Sequence, residues 1–136
     1  MTLPEAIYAA LTTGSPTPIA DVGDRVSPYV RNATEQDFPA VVYEITSTDI
    51  ESDSGGEVVK CMSNLTVTAL ARTFEDADDV AQDVLDTLTA YSNTSNCINL
   101  VTPQSVSRDQ DMPYDGSQTL VYRTSVEFTI DHGNAL

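Results

Sequence analysis

The sequence predicts an α+β domain in which two helices pack on one face of an antiparallel sheet that carries long hairpin arms. Residues 64–72 alternate apolar and polar side chains and lead directly into a helical pattern over residues 73–91. Residues 38–48 and 119–131 show the same period of two, which is typical of strands with one buried side. A chain of 136 residues is long enough for one domain with its own core, so residues 1–136 are predicted to form a single domain.

The first helix is predicted at the N-terminus. Thr2 and Glu5 have capping-box spacing, and Gly14 with the turn-rich residues 15–18 marks the end of about three turns. The apolar stripe that docks this helix consists of Leu3, Ala6, Ile7, Ala10 and Leu11. This element is therefore expected to be a short helix buried along one side.

The first two strands follow a turn that is predicted where Asp24 follows Gly23. Val26 and Val30 fit one side of a short strand, and Pro28 restricts that strand to a sheet edge or to its own end. The second strand covers residues 38–48. Because the strands are joined by short loops, antiparallel pairing between neighbours is expected.

An acidic loop over residues 49–57 is predicted to form the long arm of a hairpin between the second and third strands. Gly55 and Gly56 suit a turn that needs a positive φ angle. The third strand then covers residues 57–72 and enters the central helix.

The central helix is predicted from residues that recur at steps of three and four and therefore share one face. Thr73 stands at the capping position, and Asp76 follows three residues later. The predicted buried face consists of Ala77, Val80, Ala81, Val84, Leu85 and Leu88.

A fourth strand is predicted over residues 97–108, where Pro103 interrupts it or marks an edge. Residues 109–117 are expected to form a hairpin tip, and residues 119–131 the last strand. Residues 132–136 have no structural signature, so His132, the only histidine, is expected in a loose tail.

The charge balance excludes a protein that binds nucleic acids through their phosphate backbone. There are 21 acidic residues against 6 basic ones, for a net charge of −15. This bias is typical either of a soluble surface or of a surface that repels DNA or meets a basic partner. No apolar run approaches the ~20 residues needed to cross a membrane, and the N-terminus lacks the basic region of a signal peptide. The protein is therefore expected in the cytoplasm of the cell that makes it.

No catalytic, cofactor or metal site is predicted, and we expect no enzyme activity. Nucleophile-elbow, phosphate-loop and dinucleotide motifs are absent from the sequence. Residues 49–53 have the alternating acids that open a calcium loop. However, Ser54 stands where that loop needs glycine, and Lys60 stands where it needs glutamate. Cys61 and Cys97 lie far apart and are expected to be buried or half-buried thiols rather than a disulfide.

A small acidic domain with hairpin arms and no catalytic motif is more typical of an assembly subunit than of an enzyme. The alternative is that the arms are mobile solvent loops. The candidate interface residues are Asp49, Glu51, Asp53, Gly55, Gly56, Asp111, Tyr114 and Asp115.

Four phrases in order resemble the phage tail completion family, whose members are also called tail terminators. They are VGDRVSP (22–28), FPAVVYEI (38–45), ARTFEDADDVAQDVLDTL (71–88) and LVYRTSVEFTI (120–130). Together they cover most of the chain. The acidic bias, the SPTP segment and the HGNAL ending depart from the family pattern and bear on the partner surfaces more than on the fold.

The resemblance implies a structural virion protein with no reaction, assembled in the host cytoplasm. Members of that family form a ring, typically of six copies, at the head-proximal end of the tail tube. The ring ends tube polymerisation, contacts the tube and the neck or connector proteins, and lets DNA pass through its lumen without specific binding. The alternatives are another neck or head-completion joining protein of the particle, or an acidic inhibitor that mimics DNA.

Overall fold

The structure, a computed structural model, describes residues 3–13, 26–28, 40–52, 54–56, 58–90, 98–111 and 121–133. The elements within these ranges are α1 Leu3–Thr13, β1 Val26–Pro28, β2 Ala40–Ser52, β3 Val58–Ala71, α2 Phe74–Thr89, β4 Ile98–Asp111 and β5 Val121–His132. This order confirms the predicted α+β class, with two helices and an antiparallel sheet of four long strands. None of the described helices is both long and apolar enough to cross a membrane.

The five strands lie in one sheet in the order β1-β2-β3-β5-β4. β2, β3, β5 and β4 pair antiparallel as predicted. β1 lies at the edge, as Pro28 predicts, but it runs parallel to β2, with Val26 opposite Val41. The expectation of antiparallel pairing throughout is therefore wrong for β1. A parallel neighbour needs a connection of about a dozen residues, and residues 29–39 provide that length.

Helix α2 begins and is buried as its sequence predicts. Thr73 has an extended backbone, and its hydroxyl accepts a hydrogen bond of 3.1 Å from the Asp76 N–H, which satisfies one free donor of the first turn. The predicted apolar face is buried, with Leu85 only partly so, and Thr87 joins it. At the start of the helix the ring of Phe74 packs against Tyr122 of β5 at a centroid distance of 4.3 Å.

The core lies between the two helices and one face of the sheet. The complete apolar stripe of α1 is buried, which confirms the predicted docking of that helix. In the centre of the sheet, Leu65 of β3 pairs with Phe128 of β5, and Val67 pairs with Val126. All four side chains are buried in the same cluster as the helices. The helices therefore cover this face of the sheet.

The opposite face of the sheet, which we call the open face, points away from both helices. Its residues alternate with those of the buried face, because successive side chains of a strand point to opposite sides of the sheet. In β3 and β5 it carries Met62, Asn64, Thr66, Thr68, Leu70, Arg123, Ser125, Glu127, Thr129 and Asp131, which are half-buried or exposed.

Several strands extend further than predicted. Asp49 and Glu51 belong to β2 rather than to a loop, since Asp49 pairs with Met62 and Glu51 with Lys60 across the hairpin. Asp109 likewise continues β4 rather than starting a hairpin tip. The prediction relied on the low strand propensity of acidic residues, but pairing with a neighbouring strand outweighs that preference. The turn is confirmed at Gly56, which has a φ of 87°.

The register is continuous between the central strands β3 and β5. It is interrupted along β2 and β4, the two long strands on either side of this pair, which we call the outer strands. β3 and β5 pair without a break from Cys61 to Ala71. β2 contains register shifts at Ile45/Ser47 and Glu51/Ser52, and β4 contains shifts at Ile98/Leu100 and Pro103/Ser105. Such irregularities bend a strand and increase its local twist. The predicted interruption at Pro103 is one of them.

Candidate assembly interface

The predicted interface residues do not form a single site. Asp49 and Glu51 are exposed side chains of β2, close to the turn that contains Gly55 and Gly56. Asp111 is the last residue of β4, at the opposite end of the sheet. The described candidate residues therefore lie at opposite ends of the sheet.

The separation of these ends follows from the strand length. The stretch of β3 between the two ends runs from Cys61 to Ala71, and at about 3.3 Å per residue its length is roughly 33 Å. The other predicted interface residues, Asp53, Tyr114 and Asp115, lie outside the described residues, as do Gly14, Gly23 and Cys97 among the structural predictions.

The β2–β3 hairpin projects past the body of the sheet. The last pair between β3 and β5 is Cys61 with His132, whereas β2 and β3 remain paired as far as Ser52 and Val58. This projecting segment, residues 50–60, is the β2–β3 arm. The described side chains of the arm are exposed, whereas Cys61, which borders the arm, is buried. Among the described residues, the backbone of the arm pairs only within this hairpin.

A buried chain of hydrogen bonds lies at the base of the arm. The hydroxyl of Thr48 in β2 is 2.7 Å from the hydroxyl of Ser63 in β3, which is 2.7 Å from Nε2 of His132 in β5. Nδ1 of the same ring lies 2.8 Å from the carbonyl oxygen of Gly133. Because a carbonyl only accepts, Nδ1 carries a proton, and in the neutral ring Nε2 is then an acceptor for the Ser63 hydroxyl.

The expectation that His132 lies in a loose tail is therefore wrong. It is the last residue of β5 and continues the alternation of buried residues Val126, Phe128 and Ile130. The sequence shows this alternation, which extends one residue beyond the predicted end of the strand. The Ser63–His132 pair has the spacing of a nucleophile and its base. However, the two residues are 0% and 1% exposed, so the pair is closed to a substrate. Together with Thr48, its hydrogen bonds connect β2, β3 and β5.

The outer strands carry most of the exposed apolar side chains of the sheet. Ile50 of β2 is 53% exposed, and Leu100 and Val106 of β4 are 57% and 47% exposed. In β4 every residue from Thr102 to Gln110 is exposed. The only sequence signal for an exposed β4 is Pro103, which is typical of an edge strand.

The open face carries hydroxyl groups and a surplus of negative charge. Its charged strand residues are Glu44, Asp49, Glu51, Lys60, Asp109, Arg123, Glu127 and Asp131. The two cations are engaged, Lys60 with Asp131 at 3.8 Å and Arg123 with Asp109 at 3.1 Å. Hydroxyls fill the space between them, as in the Thr68–Ser125 contact of 3.0 Å. The face is therefore mostly polar and net negative.

A shallow depression of about 290 Å³ lies on this face where both outer strands change register. Thr46, Asn64, Gln104 and Glu127 contribute polar groups to its lining. The Glu127 carboxylate accepts a hydrogen bond of 3.1 Å from Ser105. Within the described ranges, no three His, Cys, Asp or Glu residues are grouped as a metal site would require.

One polar cluster joins helix α2 to the sheet. The carboxylate of Asp78 accepts a 2.8 Å hydrogen bond from the Thr124 hydroxyl and contacts of 3.0 and 3.3 Å from Nε of Arg108. The Thr124 hydrogen bond, and then the guanidinium of Arg108, lower the pKa of Asp78 below 3.8, while partial burial opposes this shift. This cluster attaches the exposed strand β4 to the helical layer.

Structural comparison identifies the fold. The chain is similar to a chain in the virion of a native gene transfer agent particle, with a TM-score of 0.69 and 17% sequence identity. The similarity covers 96% of this chain and 94% of that one. By sequence, no protein-family profile and no curated protein matches this chain. At this identity the likeness shows that the two chains share a fold over their whole length.

Proposed function

We propose that this chain is a structural virion protein that forms a ring at the head-proximal end of a phage-type tail tube. In this role it ends tube polymerisation and joins the tail to the neck or connector. The observation that carries the proposal is the structural likeness to a virion chain, which covers 96% of this chain and 94% of that one. The ordered sequence phrases that resemble tail terminators support the same class.

The surface of the domain suits such a role. A cyclic ring needs two different patches on each subunit that fit each other after a rotation. The part of β2 beyond Tyr43, where its pairing with β1 ends, and the strand β4 supply two different edges on opposite sides of one sheet. The net negative open face provides a surface along which DNA passes without binding, because phosphates are repelled by carboxylates.

The test is to mix the purified protein with isolated tail tubes and to examine the tube ends by negative-stain electron microscopy. Native mass spectrometry of the same sample gives the number of copies. We expect a ring on one end of each tube and no further tube growth. A protein that remains monomeric and leaves tube ends bare and extendable contradicts the proposal.

A second candidate is another joining protein of the neck or head. The same likeness favours it, because the similar chain belongs to a virion, and a virion contains joining proteins at the neck and head as well as at the tail end. Labelling the subunit in an assembled particle distinguishes the two candidates. A tail terminator is found on tails assembled without heads, whereas a neck or head-completion protein is found on heads assembled without tails.

A further inference from the structure

The depression on the open face is built by two irregularities at the same level of the sheet. In β2, Thr46 is an extra residue that has no partner in β3. In β4, Gln104 is likewise an extra residue without a partner in β5. Both lie beside the central pair of Leu65 and Phe128, and both line the depression. Because bulges redirect side chains and are over-represented next to active sites, their coincidence here points to a ligand.

The side chains that line the depression offer mainly oxygen acceptors. The Asn64 amide donates to the Ser47 hydroxyl at 2.8 Å, and its carbonyl oxygen remains an acceptor. One oxygen of the Glu127 carboxylate accepts from a β4 hydroxyl at 3.1 Å, and the other oxygen has no hydrogen bond to any described residue. The Gln104 amide and the Thr66 hydroxyl add two further oxygen atoms to the lining. A ligand that presents N–H or O–H donors matches this set.

The carboxylate in the depression also lacks a cation among the described residues. The two described cations of the open face are engaged elsewhere, Lys60 with Asp131 at 3.8 Å and Arg123 with Asp109 at 3.1 Å. Glu127 therefore attracts a positive charge that the described part of the chain does not itself supply. The donor-rich ligand that fits the lining is thus a cation.

A second carboxylate borders the depression. Thr66 of β3 pairs with Glu44 on one side and with Glu127 on the other, so both acids lie on the open face at the same level. Neighbouring strands lie about 4.8 Å apart, which places the two acidic residues roughly 10 Å from each other along the backbone plane. A cation located above Thr66 is attracted by both carboxylates at once.

The dimensions fit a cation that keeps its water shell. The depression has a volume of about 290 Å³, whereas six water molecules occupy roughly 180 Å³ at about 30 Å³ each. Mg²⁺ loses its waters reluctantly and binds proteins through one or two carboxylates while several waters stay in place. Direct binding of Ca²⁺ needs about six to eight oxygen ligands. Within the described ranges no three acidic, His or Cys residues are grouped for direct ligation, and a hydrated ion does not need such a group.

We propose that the depression binds a hydrated divalent cation of the magnesium type. The waters of the ion donate hydrogen bonds to the Glu127 carboxylate and to the oxygen atoms of Asn64, Thr66 and Gln104, and Glu44 adds attraction from the border. The site goes beyond the proposed function and does not depend on it. Each bound ion offsets part of the negative charge of the open face.

Magnesium titration followed by methyl nuclear magnetic resonance tests the site in the intact chain. Threonine labelling reports on Thr46 and Thr66 in the depression, and on Thr89 of helix α2 as an internal control. Magnesium chloride replaces sodium chloride at a constant ionic strength of about 0.15 M, so diffuse screening stays unchanged. We expect saturable shifts of the Thr46 and Thr66 methyl signals and none for Thr89. Shifts that never saturate, or that are equal at Thr89, overturn the proposal.

Cobalt(III) hexaammine determines whether the ion keeps its shell. This inert complex carries N–H donors in place of the waters and does not release them, so it binds only where a hydrated ion binds. We expect it to move the same two methyl signals and to compete with Mg²⁺. Shifts that Mg²⁺ produces and cobalt hexaammine does not reproduce overturn binding through the waters.

Four variants localise the site. Glu127→Gln removes a charged acceptor and should weaken Mg²⁺ binding by at least about tenfold. Asp49→Asn removes the same charge from the same face outside the depression, and should change the affinity less than about twofold because of screening.

A gain of affinity is expected from an added carboxylate. Gln104→Glu places a second carboxylate in the lining and should tighten binding, whereas Gln110→Glu, at an exposed position of the same strand, should not. Equal effects within either pair of variants, which diffuse attraction of ions would give, overturn the site. None of these outcomes bears on rings at tube ends, so the proposed function is tested separately.

Discussion

The central strands β3 and β5 differ from the outer strands β2 and β4 in regularity and in exposure. The central pair keeps one register from end to end and buries alternate side chains under the helices. The outer strands each contain two register shifts, and β4 is exposed on both faces over most of its length. The difference indicates that the centre of the sheet stabilises the fold, whereas its edges are available for contacts with other chains.

The largest expected effect separates these two regions directly. Phe128→Ala removes a fully buried ring from β5 and leaves a cavity beside Leu65, so the free energy of unfolding should fall by about 3–5 kcal/mol. Leu100→Ala on β4 should change it by less than about 0.5 kcal/mol. Urea denaturation of the two variants makes the measurement. A similar loss for both would contradict the division between centre and edge.

The hydrogen-bonded chain at the end of the central strands gives the next effect. His132→Phe removes the imidazole partner of the buried Ser63 hydroxyl and leaves that hydroxyl with Thr48, and this should cost about 1–3 kcal/mol. Adding Ser63→Ala removes the hydroxyl that has lost its imidazole partner, so the double variant should recover part of the loss. Thermal unfolding of His132→Phe, Ser63→Ala and the double variant tests this, and additive losses would show that the two side chains do not interact.

A stabilising change is expected where helix α2 covers the central strands. The Thr87 hydroxyl is buried and has no hydrogen-bond partner in the described part of the chain. Thr87→Val keeps the side-chain shape and removes the buried polar group, so the free energy of unfolding should rise by about 1 kcal/mol. Thr89→Val, at an exposed position of the same helix, is the control and should give no such gain. An unchanged or lower denaturation midpoint for Thr87→Val contradicts this prediction.

The smallest effect concerns the link between helix α2 and the edge strand β4. Asp78→Asn should cost less than about 1 kcal/mol near neutral pH, because the carboxylate is partly exposed and screened. The pKa of Asp78 is lowered in the folded state, so its contribution is present above pH 3.8 and disappears as the pH falls through the lowered pKa.

Equilibrium unfolding of wild type and Asp78→Asn at pH 7 and at pH 2.5 measures this dependence. The difference between the two proteins should shrink in acid. Asp79→Asn, an exposed neighbour on the same helix, is the control. A difference that grows in acid would show that the carboxylate is not stabilised by Thr124 and Arg108.

The sequence predicts the parts of the fold that depend on local periodicity. The buried stripes of both helices and the alternation of β5 identify their elements, because one buried side imposes a fixed spacing. The same reasoning ends strands early at Asp49, Asp109 and Asp131. At these places a partner strand holds residues that have little preference for extended structure, and the partner is distant in the sequence.

The candidate interface is less predictable for a related reason. The acidic arms stand out in the sequence, but the exposed edge of β4 depends on the order of strands in the sheet, which periodicity does not encode. The parallel pairing of β1 and the burial of His132 likewise arise from contacts between distant segments. Such features become visible only once the topology is known.

The position of the single imidazole provides a practical consequence. Because the chain contains one histidine, its ring nuclei give isolated nuclear magnetic resonance signals without assignment of the rest of the spectrum. The ring is bonded to Ser63, which in turn contacts Thr48 at the root of the β2–β3 arm. Displacement of that arm when subunits join would alter the nitrogen shifts of the ring, so one built-in probe follows assembly in solution.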